Sequence, residues 1–271
     1  MLRPHMVMFV QIILGAALIG LGVLSLASGD FALNWQPVPK GLPLREALAR
    51  LSGLLLLSGG IALLLKRYAA RAAFLLACYW LLCAILMHLT RAVQHPLDIG
   101  LWLGCAENLL IVCGAYVLFR SLAGLTPAFP TWTRVVLGVS CVVCGLSHFR
   151  YAGFTADMVP AWLPGHMFFA LATGTGHILA GLAIMAGVLP RLAATLEAAM
   201  ISSFVLLIHL PGVLQVPLGR MQWTMLFIAS VMAAAVWAVA ASFETASRAE
   251  TRVKSSPVPA AFSAQESPGL N

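Results

Sequence analysis

Apolar residues gather into eight long runs separated by short polar stretches, at about 7–27, 47–65, 70–89, 99–119, 133–149, 167–189, 193–212 and 222–243. An α-helix rising 1.5 Å per residue needs about 20 apolar residues to cross a bilayer core. The runs match that length, and the short alternating segments of a membrane β-barrel do not occur. The pattern predicts an all-α polytopic membrane protein with eight transmembrane helices. Beyond 243 the chain turns to Ser, Pro, Ala and charge without periodicity, so a disordered cytoplasmic tail is expected over 244–271. The first run has Arg3 before it and Ser25-Leu26-Ala27 near its end, as a signal peptide would. It is longer than the usual apolar core of about 7–15 residues and reads as a retained span.

The pattern also repeats. At an offset of 121 residues, Val38-Pro39-Lys40-Gly41-Leu42-Pro43 overlies Val159-Pro160-Ala161-Trp162-Leu163-Pro164. Gly53 then meets Gly174, Gly60 meets Gly181, His88-Leu89 meets His209-Leu210, Pro96 meets Pro217 and Trp102 meets Trp223. Apolar matches are common between membrane spans, but Pro, His and Trp at one fixed offset are not. The expected organisation is a four-helix unit over 1–120 and a second over 121–243. An even number of spans per unit makes them parallel repeats about an axis along the membrane normal. The paired prolines stiffen the loops before the second and sixth spans. Trp35 and Trp162 suit the headgroup level.

Composition narrows the class further. Of 271 residues, 61% are hydrophobic and 9% charged, against roughly 25% charged in a soluble domain. That excludes a soluble enzyme, a secreted disulfide scaffold and a disordered chain. Net charge is +7, but the basic residues stand singly between apolar runs, which orients a membrane protein and does not read nucleic acid. With both termini on one side, that side carries ten Lys and Arg and the other six. The bias predicts both termini in the cytoplasm, with the loops around Pro39, Pro96, Pro160 and Pro217 outside. All six cysteines fall in apolar runs.

Ionisable groups inside spans are costly and are candidate functional residues. Glu107 lies roughly 13 Å and His177 roughly 15 Å into their spans by helical rise. Both are near the midplane, and two parallel units could bring them into one polar pocket. The structural alternative for each is a neutral interhelical hydrogen bond. Glu197 falls near the cytoplasmic end of the seventh span. His148, His88 and His209 fall near the outer surface, where a histidine suits a helix C-terminus. Cys141, Cys144 and His148 share one helix face at i, i+3 and i+7. The C-x-x-C pair could exchange thiol and disulfide, but small apolar cysteines are also ordinary packing residues. Haem ligation would need facing histidines at one depth and is disfavoured. No metal-type spacing, phosphate loop or hydrolase elbow appears.

Val159-Pro160-Ala161-Trp162-Leu163-Pro164, Thr173-Gly174, His177-Ile178-Leu179-Ala180-Gly181-Leu182-Ala183-Ile184 and Arg191-Leu192-Ala193-Ala194 resemble the DoxX/DoxD-like membrane proteins. The resemblance is best over about 134–243 and weaker over 7–119. It implies a four-helix membrane unit in a bacterial inner membrane and a link to membrane redox chemistry with quinone or thiol partners. Many members of that family have no known activity. The family often carries an acid where His177 stands here, and the first unit has Leu56 at that position. The leading expectation is a DoxX-like inner-membrane protein of unresolved role, best read as an accessory subunit that contacts quinone or another small apolar ligand between helices, with other membrane or redox subunits as partners. A transporter or exporter with its site between the repeats, and a structural membrane partner without a ligand, are the alternatives. Whether the chain is an enzyme is not legible.

Overall fold

The computed structural model describes residues 4–125 and 130–255, and every regular element among them is helical. Eight helices are long and apolar enough to cross a membrane. They are α1 (His5–Ser28), α2 (Arg45–Leu64), α3 (Ala69–Gln94), α4 (Ile99–Leu122), α5 (Thr131–Arg150), α6 (His166–Ala186), α7 (Pro190–Gln215) and α8 (Arg220–Phe243). The last helix continues to Ser255, and the remainder of the expected tail lies outside the described residues. The chain is thus an integral membrane protein by the length and composition of its helices.

Consecutive helices pack as hairpins, α1 on α2, α3 on α4, α5 on α6 and α7 on α8. Between the two halves α1 meets α8, α4 meets α5, and α4 meets α8. α4 and α8 form the centre, where Leu110, Ile111 and Leu118 share a buried cluster with Val231, Ala235 and Val239. Without a hydrophobic effect between spans, small residues let membrane helices approach closely. A Cβ on Gly60 would sit 2.7 Å from the Gly15 carbonyl oxygen, and one on Gly181 would sit 2.5 Å from that of Gly138.

Several local features recur 121 residues apart. Leu44 and Gly165 both take left-handed backbone just before a span. The Trp102 indole donates to the Pro96 carbonyl at 3.0 Å, and Trp223 donates to Pro217 at 2.8 Å. π-helical turns interrupt α3 at Ala84–Leu89 and α7 at Val205–His209. In α7 the cause is visible, because Pro211 has no N–H for the Leu207 carbonyl. In α3 the Thr90 hydroxyl donates to the Leu86 carbonyl at 3.3 Å.

These turns alter one expectation. His88 and His209 do not end their helices, which run on to Gln94 and Gln215. A second difference concerns Trp35. The loop after α1 folds back among the helices, burying Phe31, Ala32 and Gln36. The Trp35 carbonyl accepts from His88 Nε2 at 3.0 Å, and its indole nitrogen is buried among the helices. Asp30 anchors this loop, pairing with Arg45 Nη1 at 2.5 Å and Arg220 Nη1 at 3.2 Å, while Arg220 also donates to the Phe31 carbonyl. Burial pushes the Asp30 pKa up, but the Phe31 N–H and the two guanidinium groups outweigh it and hold the carboxyl below its usual value.

Candidate functional site

The strongest polar constellation lies among α5, α6 and α7. His177 on α6 and Glu197 on α7 are 4% and 1% exposed. Their Nδ1 and Oε1 atoms are 2.6 Å apart. The second carboxyl oxygen, Glu197 Oε2, is buried without a hydrogen-bond partner. Depth counted along α7 alone places Glu197 near the end of its span. The hairpin corrects this, because Gly187 at the turn stands ten residues from each partner. Residues equally far from an antiparallel turn share a depth, and that count identifies the pair.

Close packing of α5 on α6 brings a second imidazole to the pair. A Cβ on Gly174 would lie 2.7 Å from the His148 Cβ, so the glycine makes room for it. The His148 ring meets the His177 ring edge-on, with centroids 5.0 Å apart. Phe204 on α7 lies against both, at 6.2 Å from His148 and 6.0 Å from His177. His148 Nδ1 is 3.0 Å from Thr173 Oγ1 and 3.3 Å from the Ala170 carbonyl. Cys141 and Cys144 project from the same face of α5 as His148. Both are buried free thiols, and both lie within electrostatic reach of Glu197.

Glu107 on α4 approaches from the first half of the chain. Cys144 lies within electrostatic reach of Glu107 as well as Glu197. The Trp35 indole N–H faces Glu107 without meeting hydrogen-bond geometry. Asn108 is fully buried, donates to the Gly104 carbonyl at 2.8 Å, and leaves Oδ1 unpartnered. His88 lies over Gly104, where a Cβ would be 2.3 Å from His88 Nδ1.

Of the residues singled out from the sequence, His148, His177, Cys141 and Cys144 therefore come together. Glu107 borders them through Cys144, and His88 belongs with Trp35 and Gly104. His209 is half-buried in the π-turn of α7 and makes no hydrogen bond among the described residues. Glu197, Phe204, Thr173 and Trp35 complete the picture and had not been singled out as site residues. No group of three or more His, Cys, Asp or Glu poised to hold a metal occurs among the described residues.

Residues 129–210 match the DoxX family. The DoxX match contains His148, both buried thiols of α5, His177, Glu197 and Phe204, whereas Glu107 and Trp35 lie outside it. No curated protein and no solved structure matches the chain. The same 121-residue offset shows how the DoxX-matching half differs from the first. His177 and Glu197 correspond to Leu56 and Leu76, both buried. The close glycines of α1 and α5 are 123 apart, which places Leu18, Leu21 and Ser25 opposite Cys141, Cys144 and His148. His177, Glu197, Cys141 and Cys144 thus stand where the other half has leucine, and His148 where it has Ser25.

Proposed function

We propose that the chain is an accessory subunit of a membrane redox system and holds a quinone-type molecule among α5, α6 and α7. The observation that carries this reading is the buried His177–Glu197 pair beside His148 and Phe204. In the first half, leucines fill the positions of His177 and Glu197, so packing alone does not require that pair. Buried polar groups in a span are otherwise expensive. The donor set suits such a guest, since imidazoles can hydrogen-bond its oxygens and Phe204 offers a ring face. A bound quinone would supply two-electron redox chemistry, and His177 with Glu197 would hold a proton beside it.

In this reading the chain forms two parallel four-helix units in a bacterial cytoplasmic membrane, with both termini inside. Glu107 borders the site from the first unit and shares its polar pocket. Single cysteines at Leu97 and Leu218, both fully exposed at loop apices, should react with an impermeant thiol reagent in intact cells. Reaction only after lysis would reverse the orientation.

The function is tested by purifying the protein in mild detergent and extracting it with organic solvent. About one quinone per chain is expected from the wild type and little from H177L/E197L. Equal quinone in both extracts would refute the assignment. A transporter is the second reading, favoured by the π-turns in α3 and α7, since such turns often mark functional sites. Substrate accumulation in proteoliposomes, lost in the same variant, would favour transport.

A further inference from the structure

The hydrogen-bonding sense of the two imidazoles limits what the pocket can hold. His148 Nδ1 faces the Ala170 carbonyl and Thr173 Oγ1. A carbonyl only accepts, and the Thr173 hydroxyl already donates to the Phe169 carbonyl at 2.8 Å. The proton of neutral His148 is therefore on Nδ1, and Nε2 is a bare acceptor. At His177 the argument turns on the total charge of the pair. A net charge in hydrocarbon is costly, so His177 and Glu197 together carry no net charge. Three proton arrangements achieve this. One puts the proton on Glu197 Oε2 with His177 donating from Nδ1, and it leaves a buried hydroxyl without an acceptor, since Oε2 has no partner. In the other two, Glu197 donates to Nδ1 or the proton has passed to the ring as imidazolium beside carboxylate, and His177 Nε2 carries a hydrogen free to donate. The two rings, 5.0 Å apart and both against Phe204, thus offer one acceptor and one donor.

We infer that this pocket selects an uncharged head that both donates and accepts a hydrogen bond, a phenol or hydroquinone hydroxyl, over one that only accepts, such as a quinone carbonyl. The inference rests on the quinone-type site proposed above and adds which redox form is held. A hydroxyl accepts from His177 Nε2 and donates to His148 Nε2. A carbonyl satisfies His177 and leaves His148 unpaired.

The first half supplies an internal precedent. There Gln36 turns inward, 1% exposed, and its amide nitrogen donates to Ser52 Oγ at 3.1 Å and to the Tyr79 hydroxyl. Ser52 and Tyr79 correspond to Thr173 and Met200 at the 121 offset. The loop of the second half does not insert in this way. Asp157, 121 residues on from Gln36, is exposed, and Thr173, Met200, Phe204 and His148 are all only half-buried. A side chain of the first half thus covers, with a donor head, a place whose counterparts in the second half are half-buried.

The test titrates full-length protein in lipid nanodiscs with a decyl-substituted benzoquinone and, under anaerobic conditions, its hydroquinone. Decanoic acid serves as a competitor. The hydroquinone should bind about tenfold tighter, the worth of one neutral hydrogen bond. H148A should bring the two affinities within about twofold by weakening the hydroquinone alone, whereas H177A should weaken both. The wild-type ratio decides the matter even if a variant fails to fold. Equal affinities, or tighter quinone, would overturn this inference while leaving the site itself standing. Decanoic acid displacing the hydroquinone at equal concentration would overturn the phenol assignment. Binding of neither probe, with no quinone in the purified protein, would overturn the site as well.

Discussion

Replacing Glu197 by leucine removes the only hydrogen-bond partner of His177 Nδ1 among the described residues and leaves that nitrogen inside a side chain that is 4% exposed. Water cannot compensate there, so the change should cost ~1–3 kcal/mol, the range for a buried polar group left unpaired. An ion pair stripped of one partner would cost more, ~3–5 kcal/mol. A loss near 2 kcal/mol therefore indicates a neutral pair, and one near 4 indicates imidazolium with carboxylate. The second change decides whether the loss comes from pairing. H177L added to E197L recreates the leucines that occupy positions 56 and 76 in the first half, where both are buried. The double variant should recover at least ~1 kcal/mol over E197L, because a buried pair replaced by apolar side chains is often neutral or stabilising. Reversible unfolding in mixed micelles, followed by circular dichroism, gives the three differences. A double variant as unstable as E197L, or a harmless E197L, would refute the buried pair.

Other consequences follow from close packing and from the outer loop. G181A places a Cβ 2.5 Å from the Gly138 carbonyl oxygen, so it should destabilise by ~1–3 kcal/mol as overpacking does. G153A, where a Cβ meets nothing within 4 Å, should leave the melting temperature unchanged in the same assay. The folded-state pKa of Asp30 is lowered, so its contribution is fully present above its unfolded value of about 3.9. It is lost as pH falls through the lower folded value. Melting temperature measured from pH 6 down to about 3 should therefore fall less steeply in D30N than in wild type, and parallel profiles would contradict the clamp to Arg45 and Arg220.

The eight spans were legible because a bilayer imposes one length on every apolar run, and each run met it. Their outer ends were not. Thr90 to Gln94 and Val213 to Gln215 look like loop, yet a π-turn carries the helix on to them. His88 and His209 were consequently assigned to helix ends rather than to helix interiors. Glu107, His177, His148 and the two cysteines of α5 were legible as costly or reactive groups within spans. Which of them meet was not, because a single-helix depth estimate ignores the neighbouring helix. Glu197 shows the consequence, since its place opposite His177 emerges only from counting across the turn at Gly187. Trp35 shows another limit, because nothing in its spacing tells that the fold-back of its loop buries its indole nitrogen near Glu107.

The most direct test of the account is to map where a photoreactive quinone attaches. Full-length protein in nanodiscs, illuminated with an azidoquinone and digested, should yield adducts on peptides of α5, α6 and α7, near His148, His177 and Phe204. An excess of unmodified hydroquinone should abolish them, and H177L/E197L should not form them. Adducts spread over lipid-facing residues of all eight helices, or concentrated on α1 to α3, would contradict the claim that the DoxX-matching half holds the ligand.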